Sequence, residues 1–141
     1  MTYTEKLLAI RYAADVVAIT HDGRVALIER GWDPFAGHHA LPGGHVDDGE
    51  TSRQAAAREL FEEIGVQIDP DGLQQIGVFD DPNRDPRGRY VAVAYLAHVS
   101  NNTVLTAGDD ARTADWWPLD SLPPLAFDHA DIIRAATRLT S

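Results

Sequence analysis

The chain contains no cysteine, and only one of its twelve cationic side chains, Lys6, is lysine. Without cysteine there is no disulfide, no thiolate nucleophile and no Cys-ligated zinc or iron–sulfur centre. Positive charge is also scarce: twelve Lys and Arg oppose twenty-two Asp and Glu, for a formal net charge of −10. A duplex-binding protein needs a basic surface to displace phosphate counterions, so this balance argues against a nucleic-acid partner. A small anionic substrate stays open, because carboxylates that hold a divalent metal reverse the local sign of charge. No apolar run approaches the roughly 20 residues that span a bilayer. The apolar stretch 7–10, behind residues 1–6, is too short for a signal-peptide core. The expectation is therefore no membrane partner and a cytoplasmic location, by absence of an address.

What is present reads as one α/β domain over residues 1–141, a length with no room for a second full-sized one. Residues 13–20 and 24–30 are β-rich runs joined by His21, Asp22 and Gly23, where Asp-Gly supplies the positive φ of a tight hairpin turn. Residues 31–39 are broken by Pro34 and two glycines and read as a loop; residues 40–42 read as extended. The clearest helix spans 51–64, with Thr51 as its cap, acids at 47–50 ahead of its positive end, and Gly65 as its stop. Strands are expected at 73–79, 89–100 and 114–118, that at 89–100 in a central position because it is apolar on both faces. A loop fills 80–88, and an amphipathic helix closes the chain at 128–139. Mixed strands with two helices imply an α/β sandwich.

The chemistry concentrates in residues 44–66. At about 100° per residue, with Glu59 at 0°, Glu62 falls at about −60° and Glu63 at about +40°, while Ala57, Leu60, Phe61 and Ile64 take the opposite side. One face suits a core; the other suits something cationic. Like charges at these spacings cost helix stability unless compensated, and Arg58 is the one cation nearby. The geometry by itself fits both a solvated acidic face and a hard, oxygen-ligated Mg²⁺ or Mn²⁺ site.

Gly44, Glu50, Arg58, Glu59, Leu60, Glu62, Glu63, Gly65 and Val66 match the Nudix box, G-x5-E-x7-R-E-U-x-E-E-x-G-U, at every fixed position. The lead-in of Ala40, Leu41, Pro42 and Gly43 also resembles that family. The resemblance implies an α/β/α sandwich with a mixed β-sheet, and hydrolysis of a nucleoside diphosphate linked to another moiety. It implies that Glu59, Glu62 and Glu63 ligate Mg²⁺, with Mn²⁺ as a substitute, and that Arg58 orients the glutamates. Gly43 and Gly44 would lie against the substrate. The general base in this family is a box glutamate or an acid on a later loop; Asp110, with Asp109, lies on such a loop, and two turn-forming aspartates are the alternative reading.

Residues 81–89 crowd Arg84, Arg87 and Arg89 into an otherwise acidic chain. This loop, residues 114–119 and residues 122–129 resemble the branch of the family acting on ADP-ribose. Arg84 and Arg87 are therefore candidates for phosphate contact, since Arg recognises phosphate bidentately; the alternative is that they neutralise Asp81 and Asp85. Trp32 and Phe35 are candidates for stacking on adenine, or else loop anchors. Trp116 and Trp117 point to opposite sides if they lie on a strand. His38, His39 and His45 are excluded as ligands of a hard cation, and His129 reads as a residue of a helix-capping region. The implied enzyme is an ADP-ribose pyrophosphatase that yields AMP and ribose 5-phosphate. A MutT-like nucleoside triphosphate pyrophosphatase and a non-catalytic nucleotide-sensing module are the alternatives, and a homodimer stands among the partner readings.

Overall fold

The computed structural model describes residues 7–140; the stretch 1–6, read above as carrying no address, lies outside the described residues. In chain order the elements are β1 (Arg11–Thr20), β2 (Arg24–Arg30), β3 (His39–Ala40), β4 (Gly43–His45), α1 (Ser52–Ile64), β5 (Gln74–Phe79), β6 (Tyr90–Val99), β7 (Ala111–Pro118) and α2 (His129–Thr140). They form a seven-stranded sheet in the order β3-β2-β1-β6-β5, with β4 paired to β1 and β7 to β2. β1 and β6 run parallel in unbroken register from Arg11 opposite Tyr90 to Thr20 opposite Val99. The other pairings are antiparallel, so the sheet is mixed as expected.

Alternation along β1 divides the core into two layers. Ala14, Val16 and Ala18 pack with Ala55, Ala56, Leu60 and Ile64 of α1. Val17 and Ile19 pack with Ile132, Ile133 and Ala136 of α2 on the other face. The expected α/β/α sandwich is thereby formed, and each fully buried Leu or Ile in it contributes about 1.5–3 kcal/mol. Trp116 joins the α1 layer and Trp117 the α2 layer, as strand alternation requires. Among the described residues no helix is long and apolar enough to cross a membrane.

The hairpin between β1 and β2 turns at Gly23, which holds φ +86°. Thr51 caps α1 in a reciprocal arrangement with Gln54, and Gly65 ends the helix at φ +75°. The acids at 47–50 precede the helix as expected, and none lies in its first turn. Glu50 instead binds the Arg58 guanidinium through hydrogen bonds of 2.8 and 2.9 Å. A difference from the sequence is that part of the 31–45 region is strand. β3 and β4 form because β2 and β1 offer free edges, a long-range pairing with no local signature.

Candidate active site

Arg58 organises the acidic face of α1. Besides Glu50, its Nη1 donates to Glu59 Oε1 at 2.7 Å and to Glu62 Oε2 at 3.1 Å, and its Nη2 donates to the His45 carbonyl at 2.9 Å. The box's first acid, two of its later glutamates and the end of β4 are thus fastened to one planar group. Gly44 has no Cβ because one would stand 2.6 Å from the Glu59 carboxylate. Gly43 leaves room in the same way for the Ala14 carbonyl and the Asp15 carboxylate. Both glycines line a cleft, and this close approach is the reason neither position carries a side chain.

Glu63 faces that cleft, whose volume is about 210 Å³. Burial pushes its pKa up to about 9, and the neighbouring Glu59 and Asp15 add to the rise; the Gly43 N–H directed at its carboxylate works against it. Its Oε2 is buried with no hydrogen-bond partner. A carboxyl pair that holds a proton this tightly also attracts a cation that can replace the proton. Among the described residues no three His, Asp or Glu side chains converge on one point, because Arg58 draws Glu59 and Glu62 toward itself. The all-oxygen donor set and the unpartnered Glu63 Oε2 nevertheless fit a hard divalent ion.

The other end of the cleft is cationic and aromatic. Arg30 lies 4.9 Å over the Phe127 ring, and Arg87 lies 5.5 Å from Phe127 and 5.0 Å from Tyr90. Arg30 spends its Nε on the Pro34 carbonyl at 2.8 Å, and burial together with nearby Arg87 lowers its pKa. Arg87 is braced by Asp85 through hydrogen bonds of 3.1 and 2.8 Å. The backbone of Phe127 holds φ +53°, a strained conformation of the kind that concentrates at binding surfaces.

Arg84 corrects the sequence reading. It lines the cleft, yet its side chain is only 5% exposed and its guanidinium is clasped by Asp128 at 2.9 and 2.7 Å. Its partner is Asp128, the residue just ahead of α2, and not Asp81, so its visible task is to tie the 80–88 loop to the start of that helix. Asp110 and Trp32 sit in a second depression with Asp109 and Arg112. The loop that carries the two aspartates is tied to the box helix, the Gly108 N–H donating to the Glu63 carbonyl at 2.8 Å. Phe35 is held edge-on against Phe127 at 4.9 Å and against His38 at 5.5 Å, which makes it a loop anchor.

Sequence reasoning passed over Asp15, Arg30, Tyr90 and Phe127, and it placed His129 at a helix start without seeing it in the cleft wall. Asp15 had a visible signal: it is an acid at the centre of an apolar strand, where alternation points it inward. The other residues had none, since only the sheet order brings β2, β6 and the α2 entry to one place.

A family model described as NUDIX domain matches residues 9–136. The chain is 43% identical over 116 residues to an ADP-ribose pyrophosphatase of Methanocaldococcus jannaschii, covering 82% of this chain and 67% of that one. Among solved structures, the NUDIX domain of Shewanella oneidensis NrtR complexed with ADP ribose is similar at TM-score 0.84 and 30% identity, covering 96% of this chain and 91% of that one. A bifunctional NMN adenylyltransferase/ADP ribose pyrophosphatase of Francisella tularensis, complexed with AMP and a Mn ion, is similar at TM-score 0.83 and 26% identity over 97% of this chain and 44% of that one. The chain spans 39–47% of the length of the further curated relatives it matches.

Proposed function

This chain belongs to the NUDIX family, and from that premise we propose that it hydrolyses the pyrophosphate bond of a nucleoside diphosphate linked to another moiety, preferring ADP-ribose and yielding AMP and ribose 5-phosphate. The observation that carries the reading is the polarity of one cleft. The box carboxylate Glu63 lines it together with two arginines, Arg30 and Arg87, that are backed by aromatic rings. A diphosphate fits between them, since it needs positive charge on its oxygens and a site for water attack. The identity to an ADP-ribose pyrophosphatase and the likeness to an ADP-ribose complex support the choice of substrate.

Glu59, Glu62 and Glu63 are the residues that would hold a divalent cation, Mg²⁺ with Mn²⁺ as a substitute, which when bound neutralises pyrophosphate oxygens and acidifies a water. Arg58 holds Glu59 and Glu62 on one side of α1 and keeps them from repelling one another. Arg30 and Arg87 grip phosphate oxygens with donors that Pro34 and Asp85 leave free. Glu63, ionised once a cation replaces its proton, would take the proton from the attacking water through the carboxylate oxygen not given to that cation; a box glutamate was one of the two placements the sequence left open, the other being an acid on the Asp110 loop. The reading is tested with a panel of nucleotides assayed with Mg²⁺ and Mn²⁺. A kcat/KM for ADP-ribose above that for 8-oxo-dGTP is expected, and a ratio below one moves the assignment to triphosphate clean-up. ADP-ribose binding without hydrolysis of any nucleotide moves it to a sensing module.

A further inference from the structure

In the wall of the cleft lies a buried polar cluster that the proposed hydrolysis does not itself use. Asp15 is 8% exposed and lies on the face of β1 that otherwise carries Val17 and Ile19. Arg84, fixed by Asp128, brings Nη2 to 3.7 Å from Asp15 Oδ2. His129, the first residue of α2, brings Nε2 to 3.8 Å from the same oxygen. The His129 Nδ1 accepts the Leu41 N–H at 2.9 Å, which leaves the neutral ring's proton on Nε2, facing Asp15. Packing alone would be served by another aliphatic side chain here, and a buried carboxylate is costly unless its surroundings compensate it.

What Asp15 touches gives the acid a task. Gly43 is its strand partner across β1 and β4, and a Cβ on Gly43 would run into the Asp15 carboxylate. The N–H of that same Gly43 is directed at Glu63. The segment 41–43 is therefore pinned by His129 at Leu41 and by Asp15 at Gly43, and its far end meets the box carboxylate. We propose that Asp15, braced by Arg84 and His129, is a positioning residue that seats Gly43 against Glu63 and so links the 80–88 loop and α2 to the reaction centre. Its kinetic readout rests on the hydrolysis reading above; its structural readouts do not.

The test is Asp15→Asn in the full chain, a nearly isosteric change that removes the charge. With circular dichroism unchanged, kcat for ADP-ribose falls about tenfold while KM stays within about twofold, and Mn²⁺ binds several-fold more weakly, the scale seen when groups supporting a ligating side chain are altered. The Gly43 amide resonance in a ¹⁵N–¹H spectrum shifts as well. A fall in kcat with Gly43 and Mn²⁺ affinity both unmoved overturns the proposal, as does wild-type behaviour throughout. Should Asp15→Asn not fold, Arg84→Lys keeps the charge but gives up the two-point clasp on Asp128, and the same shifts, smaller, are expected; an unmoved Gly43 amide there overturns the proposal too. If the wild-type chain hydrolyses no diphosphate, the hydrolysis reading fails, while Gly43 and Mn²⁺ affinity still decide the positioning one.

Discussion

Two concavities flank β2, and they differ in kind. The first gathers a buried carboxylate with an orphan oxygen, two arginines stacked on aromatic rings, and backbone held in place by absent side chains. The second gathers Trp32, which is 68% exposed, two exposed aspartates and Arg112, whose nearest acid is Glu29 at 3.5 Å. Both contain residues that look functional in sequence. Only the first withdraws charge from water, and withdrawal is what makes a carboxylate's proton affinity or an arginine's grip depart from ordinary behaviour.

The largest expected effect sharpens that contrast. Glu63→Gln should lower kcat by about two to three orders of magnitude with circular dichroism unchanged, each tenfold being about 1.4 kcal/mol of transition-state stabilisation. Retained turnover in a folded variant would remove Glu63 from the reaction. The next is a stability effect inside the same cleft. Arg84→Ala leaves Asp15 and Asp128 without their buried partner and should cost about 3–5 kcal/mol in denaturant unfolding.

The pH dependence follows from Glu63, whose pKa is raised to about 9 from the ordinary 4.5. The cation-free native state keeps a proton that the unfolded chain releases. This contribution to stability is complete below 4.5 and declines as pH rises toward about 9. A divalent cation must displace the proton, so its apparent affinity should climb between pH 6 and 9, by at most about tenfold per unit. Isothermal titration with Mn²⁺ at several pH values checks both sign and slope, and a flat profile would count against the buried carboxylate as ligand.

Arg87→Ala should raise KM for ADP-ribose about tenfold with little change in kcat, the pattern of lost uniform binding. The smallest effect belongs to the second depression. Asp110→Asn should leave kcat within about threefold; a hundredfold loss would erase the distinction between the two concavities and return the proton acceptor to this loop.

The residues explain which of these features could be read in advance. The α1 face was legible because a helix turns its positions by a fixed angle, so Glu59, Glu62 and Glu63 had to share one side, with Arg58 within reach of the first two. Thr51 and Gly65 were legible as caps for the same local reason. The fate of Arg84 was not: Asp81 and Asp85 are its neighbours in sequence, but its partner Asp128 lies 44 positions away. The pairing of Asp110 with Trp32 had no local sign either, since β7 brings that loop beside the end of β2.

The sequence by itself determined the local pieces: a capped helix with its acids on one face, a hairpin at Gly23, strands with alternating or doubly apolar faces, and a family motif without a gap. Those follow from dihedral preferences and periodicity, which act over a few residues. The tertiary structure alone decided what faces what. The parallel pairing of β1 with β6 sets Tyr90 opposite Arg11, Arg84 of the 80–88 loop reaches Asp15, and Asp128 and His129 at the start of α2 close over them. Burial then decides charge: Glu63 is an ordinary glutamate in the chain and holds its proton first because the fold keeps water from it, and then because Glu59 and Asp15 are brought near.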